Sequence, residues 1–221
     1  MIIRKTGLLI VIVILFFSVS SAVQISKKVK SPIPDQDSKK WLLAHVDVET
    51  TGVIPGYHEM IDIGIVMTDL AGNIIDSLFF RIQAKHPERS DPDALKVNSY
   101  NHKKWEQSGA LTSGKAVKKI IDFVNKVKGN KTVMIVAHNS HFDTAFIDHL
   151  FRSEGRSWED IFYYYVLDIP SMAWGLGVTH SQIMDHYNIK EEPHTHSGDN
   201  GAMLNVRVYK GILKYRKEMN K

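Results

Sequence analysis

The chain contains no cysteine. Disulfides, zinc–thiolate centres and cysteine nucleophiles are therefore excluded, and any metal must be held by carboxylates and histidines. A strong excess of either charge is also missing. The formal net charge is +4 over 221 residues, and Arg4 and Lys5 supply two of those positives, which leaves the remainder near +2. So mild a balance does not by itself argue for nucleic-acid binding. No internal repeat stands out. Long apolar runs are scarce, and the one that invites a membrane reading lies at the extreme N-terminus. Residues 7–17 are apolar, follow Arg4 and Lys5, and precede the small residues Ser20, Ser21 and Ala22. That layout predicts a signal peptide over residues 1–22, exporting the rest to the periplasm or outside the cell. The rival reading is an uncleaved membrane anchor through residues 7–23, at the short limit of the ~17–25 residues that span a bilayer.

A hydrophobic content of 43% is enough for one well-buried domain and leaves little room for a second. Residues 23–40 turn to Ser, Lys, Pro and Asp, with Pro32 and Pro34 close together, and read as a linker. The domain is expected over residues 41–221. It opens with the apolar run Trp41-Leu42-Leu43-Ala44, a strand that carries on into Asp47 and Glu49. A loop of residues 53–58 leads to a second strand in which Ile61, Ile63 and Ile65 alternate with Asp62 and Gly64. The turn chemistry of residues 69–73 then joins it to a third strand over 74–82.

Residues 94–98 suggest a short helix. Val117, Ile120, Ile121, Val124 and Val127 recur at helical spacing, with lysines 115, 118, 119, 126 and 128 as a solvated outer face. The β-branched run 132–137 predicts a buried strand, and Phe142, Phe146 and Leu150 mark a helix towards Gly155. A fifth strand is expected over 163–168, broken by Pro170. A short helix follows over 181–187, then a break over 191–193, and a closing helix over 202–215. The order βββ, α, β, α, β, α, α describes an α/β domain with a mixed central sheet flanked by helices.

Asp47 and Glu49 lie two apart on a strand, so both carboxylates leave the same face. Two acids held so close repel each other unless a cation neutralises them, and a hard divalent ion bound through oxygen suits such a pair. Asp143 falls just past the end of its strand, and Asp199 follows His194 by five positions. Four carboxylates can hold two divalent ions ~4 Å apart that act on a phosphodiester, while an imidazole removes the proton of the attacking water.

These residues are also the carriers of a resemblance. Asp47-Val48-Glu49-Thr50-Thr51-Gly52, Ala137-His138-Asn139-Ser140-His141-Phe142-Asp143, and His194 with Asp199 resemble, in order, the three motifs of the DEDDh (DnaQ-like, RNase T-like) 3'-5' exonucleases. The likeness runs from about Trp41 to Tyr215. It implies a ribonuclease H-like exonuclease fold, with two Mg²⁺ or Mn²⁺ ions on Asp47, Glu49, Asp143 and Asp199, and His194 as general base. The implied reaction releases nucleoside 5'-monophosphates from the 3' ends of single-stranded DNA or RNA. The third motif departs from the pattern, because its usual small residues around the Asp are replaced: His196 stands two residues after His194 and competes with it for the base role, and Asn200 follows Asp199, while Gly198 and Gly201 weaken the helix start.

Other readings stay open beside this one. Thr50 and Thr51 either contact the terminal nucleotide or organise a turn, and His138 and Asn139 either touch substrate or brace their loop. Tyr57, His58 and Asn98 are weaker pocket candidates by analogy. His45 reads as a hydrogen-bonded core histidine rather than a ligand, and Tyr163 to Tyr165 read as packing. The alternatives to an active exonuclease are a nucleic-acid-binding module that has lost activity and a polymerase proofreading subunit, the second disfavoured by the export signal.

Overall fold

A computed structural model describes residue 37, residues 39–193 and residues 195–220. The expected signal or anchor segment, most of the linker and His194 lie outside the described residues. Five strands form one mixed sheet in the order β3-β2-β1-β4-β5. They are β1 (Trp41–Thr50), β2 (Met60–Thr68), β3 (Ile74–Arg81), β4 (Thr132–Ala137) and β5 (Tyr163–Asp168). The first three are antiparallel neighbours, whereas β4 and β5 run parallel to β1. No helix among the described residues is long and apolar enough to cross a membrane.

The central strand β1 is covered on both faces, which is why its sequence is apolar almost throughout. Leu42, Ala44, Val46 and Val48 pack on the face covered by α3 (Ser113–Lys128) and α4 (Ser140–Ser153). Trp41 and Leu43 pack on the opposite face with Val208, Tyr209 and Ile212 of α7 (Gly198–Met219). By alternation His45, Asp47 and Glu49 point to the α7 face as well. His45 is fully buried, bonded to Thr68 Oγ1 at 3.1 Å and edge-on to Tyr209, and burial holds its ring down at about 3. It is a core residue.

The helices depart from the sequence reading in three places. β5 ends at Asp168, as expected, but Pro170 then sits in the first turn of an unexpected helix, α5 (Ile169–Trp174), where a missing N–H costs nothing, and Asp168 caps that helix. Ahead of α3, the expected short helix is α1 (Pro92–Asn98), and an unexpected second one, α2 (His102–Gln107), follows it; each is capped by the side chain before it, Asp91 and Asn101. The second has no apolar period to betray it; one buried side chain, Trp105, anchors it against Ile61, Ala84 and Tyr100. Finally, α7, which follows α6 (His180–His186), starts at Gly198, four residues before the expected Ala202.

The glycines that weaken that helix start are what let it dock. Any side chain at Gly64 would overlap the Gly198 carbonyl, and one at Gly198 would meet Asp47 O at 2.8 Å and Asp62 Oδ1 at 2.9 Å. Helix and sheet thus touch backbone to backbone.

Candidate active site

Pairing between β1 and β4 ends at His45 and Val136. Beyond it, the backbone of β1 on that side has no strand partner, yet it is buried and must be satisfied. Two side chains take over the ladder. Asn205 of α7 donates from Nδ2 to Val46 O at 2.8 Å, and the Val48 N–H donates to Asp143 Oδ1 at 3.1 Å. The second bond brings the second motif's carboxylate onto the first motif's strand, between Asp47 and Glu49.

Asp143 lies in the first turn of α4, where the helix dipole favours negative charge. The N-terminus of that helix is itself fixed from β5. Asn139 takes the left-handed conformation (φ 61°) without capping through its own side chain, and Asp168 Oδ1 accepts the Ser140 N–H at 3.0 Å instead. The strand end beside Glu49 is held from the other side by Asn98 of α1, whose amide donates to Thr50 O at 2.9 Å and favours the ionised Glu49 carboxylate.

Beneath the site, Thr50 and Thr51 are buried. The Thr50 hydroxyl donates to Gly52 O at 2.6 Å, and the Thr51 hydroxyl accepts the Glu59 N–H at 2.9 Å, so both shape the loop after β1. His58 is buried in the same loop, accepting the Ile54 N–H at Nδ1, whereas Tyr57 is exposed.

Asp47, Glu49, His138, Asn139, Phe142 and Asp143 line one cavity of about 320 Å³. His138 and Asn139 are exposed on its wall. Val48, His196, the competitor for the base role, and Glu192, which the motifs do not single out, are the other described residues of that lining. A contiguous cavity of about 340 Å³ extends from Asp47, His138, Glu192 and His196 towards His180, Met184 and Leu204. The His138 and His180 rings meet edge to face at 4.4 Å there. Asp199 stands exposed in the first turn of α7, outside both linings, close enough for its charge to act on Asp62 and Glu192.

Crowding of like charge under burial dominates the electrostatics. Burial, then the neighbouring charges of Asp143, Glu49 and Glu192, push the Asp47 carboxyl well above the usual carboxylate range. Burial and Glu49 raise Asp143 against the Val48 bond, which lowers it. Glu49 is pushed up to about 8, by burial first and then by Asp62 and Glu192. Asp62, a fully buried carboxyl of β2 pushed by burial up to about 7, caps α7 by accepting the Gly198 N–H at 3.1 Å. A cluster of carboxyls that ionises this reluctantly is a cluster lacking a positive partner. Carboxylate and imidazole donors fit a divalent cation, and one oxygen in the cleft, Glu192 Oε2, is buried with no hydrogen-bond partner at all.

A family model described as Exonuclease, of the RNase T type, matches residues 45–209. The chain belongs to the DEDDh, DnaQ-like 3'-5' exonuclease family. This family uses divalent metals. The chain is also 30% identical over 173 residues to the 3'-5' DNA exonuclease Cap18 of Escherichia coli, across 76% of this chain and 87% of that protein. Among solved structures, E. coli Exonuclease I in complex with a dT13 oligonucleotide superposes with a TM-score of 0.66 at 11% identity, covering 81% of this chain and 42% of the other. The chain thus spans under half the length of Exonuclease I. A 3'-exonuclease that recognises the 3' end of the histone mRNA stem-loop gives 0.60 at 12% identity, covering 79% of this chain and 81% of the other. Likeness at this low identity is one of fold, and the fold is that of exonucleases of the ribonuclease H-like type.

Proposed function

We propose that this protein removes nucleotides one at a time from the 3' end of a single strand, DNA in the first instance, by hydrolysing the terminal phosphodiester to a nucleoside 5'-monophosphate. The observation that carries this reading is the convergence of Asp47, Glu49 and Asp143 on one cavity wall, locked together by the Val48–Asp143 bond. The name of the E. coli relative supports DNA, and the oligonucleotide bound to Exonuclease I supports a single strand.

Asp47, Glu49 and Asp143, with Asp199, are the residues to hold two divalent ions, Mg²⁺ or Mn²⁺. When bound, such ions activate water and stabilise the leaving oxygen. His194, by its spacing from Asp199, removes the proton of the attacking water. His138 and Asn139, exposed on the cavity wall, orient the terminal nucleotide, while Thr50 and Thr51 act on it through the shape of the loop that their hydroxyls hold. The cleft admits a nucleotide freed from its partner, which is why a single-stranded end is the substrate. The N-terminal segment exports the domain or anchors it through residues 7–23.

The test is digestion of 3'-labelled and 5'-labelled single-stranded DNA and RNA by the full-length chain, with Mg²⁺, Mn²⁺ or chelator. Metal-dependent mononucleotide release from the 3' end, faster on DNA, is expected. Binding without hydrolysis on every substrate would establish an inactive nucleic-acid-binding module instead.

A further inference from the structure

The segment leading into α7 brings two groups into the cleft that the three motifs do not account for. Glu192 Oε1 lies 2.7 Å from His196 Nδ1, and the Glu192 side chain is 13% exposed. Its second oxygen, Oε2, is buried and unpartnered. A buried carboxylate oxygen without a donor is a group waiting for one, since both oxygens accept and neither can donate when ionised.

Opposite stands Glu49. One donor atom each from Glu49, Glu192 and His196 lie within 4.8 Å of one another. Ligands at ~2.0–2.2 Å from a shared ion are separated by at most roughly 4.4 Å, so this spread is within a small adjustment of a coordination sphere.

The adjustment is small because the three residues share a support. His196 N–H donates to Val97 O at 3.2 Å, and the next residue of α1, Asn98, donates to the carbonyl of Thr50, the neighbour of Glu49, at 2.9 Å. One short helix thus braces the backbone at both a carboxylate and the imidazole of the set. Glu192 is four residues from His196 on the same segment and is already turned towards it.

We infer that Glu49, Glu192 and His196 form a divalent-cation site on the outer side of the cleft, and that its imidazole makes it select Mn²⁺ over Mg²⁺. Two carboxylates and one imidazole form a mixed donor set, which a first-row transition ion accepts more readily than Mg²⁺, an ion that prefers oxygen and sheds water reluctantly. The inference rests on the reading of Glu49 as a cation ligand and adds two ligands that the family motifs do not supply. Loading the site exchanges the Glu192–His196 contact for bonds to the ion, so these two side chains are drawn towards Glu49.

Mn²⁺ alone is the probe. Binding to the full-length chain, without nucleic acid, is followed by loss of the free-ion electron paramagnetic resonance signal for the wild type, Glu192→Gln, His196→Ala and Asp143→Asn. We expect Glu192→Gln and His196→Ala each to weaken one class of Mn²⁺ site by at least about tenfold. Asp143→Asn keeps that class, and equimolar Mg²⁺ does not displace Mn²⁺ from it. Wild-type binding in both Glu192→Gln and His196→Ala, or equal displacement by Mg²⁺, overturns the inference. A parallel digestion of single-stranded DNA separates the two readings. No hydrolysis by a wild type that shows the Mn²⁺ class removes the exonuclease reading and leaves the site standing; hydrolysis with unaltered Mn²⁺ binding in both variants removes the site alone.

Discussion

The two walls of the cleft are built on different principles. On the sheet side, Asp47, Glu49 and Asp143 are fixed by backbone. The first two leave one face of a strand whose ladder with β2 runs past them both, and the third replaces a missing ladder bond on the strand's other side at 3.1 Å. On the α7 side, Glu192, His196 and Asp199 belong to a polar stretch that meets the rest of the domain through the His196–Val97 bond and the Asp62–Gly198 bond among others. The first wall concentrates negative charge where water cannot relieve it. The second supplies half-buried and exposed polar groups that face it across the cleft. An enzyme that grips an ion rigidly and must admit and release a nucleotide at every turnover needs both.

The contrast can be broken most severely from the rigid wall. Asp47→Ala is expected to lower mononucleotide release by more than about a hundredfold, because losing a direct ligand exceeds the 10–100-fold typical of its supporting partners; a steady-state assay at saturating Mg²⁺ measures it. The seam between the walls comes next. A methyl at position 198 meets backbone atoms of β1 and β2 that cannot turn aside, so Gly198→Ala should destabilise the fold by ~1–3 kcal/mol in urea titration. Asn205→Ala leaves the buried Val46 carbonyl without its donor, at a cost of ~1–3 kcal/mol, with most of the nuclease activity kept.

A smaller and more diagnostic effect is one of pH. Burial, then Asp62 and Glu192, push Glu49 up to about 8 in the folded protein from an ordinary value of 4.5, so the folded state holds the proton more tightly than the unfolded chain does. Its contribution to stability is complete below about 4.5 and is lost as pH rises through about 8. The metal-free protein should therefore melt at progressively lower temperature between those values, and Mn²⁺ should raise the melting temperature more at pH 8 than at pH 6. A flat profile without metal would mean that the acids are already neutralised by other means.

The rigid wall was also the legible one. Strand alternation is a strict period of two, so Asp47 and Glu49 sharing a face follows from their spacing, and the place of Asp143 follows from a strand running into a helix. Asp62 was not legible as a structural acid. On an alternating strand it reads as solvent-facing, and only the docking of α7 on β2 buries it. The same docking reverses the reading of Gly198 and Gly201, which local propensity treats as a poor helix start and close packing requires. Any side chain at position 201 would collide with the Asp47 carboxylate. Glu192 carried no signal of its own beside Pro193, because its partner in the cleft is remote in the chain: Glu49 lies far from it in sequence and opposite it in the site.

The most direct measurement is mononucleotide release by Asp143→Asn, with its melting curve recorded without metal. An asparagine keeps the oxygen that accepts the Val48 N–H and removes only the charge. The account predicts a folded protein, at least as stable as the wild type at pH 8, that no longer hydrolyses single-stranded DNA. Wild-type hydrolysis by this variant would contradict the claim that the carboxylates locked onto β1 hold the catalytic cation.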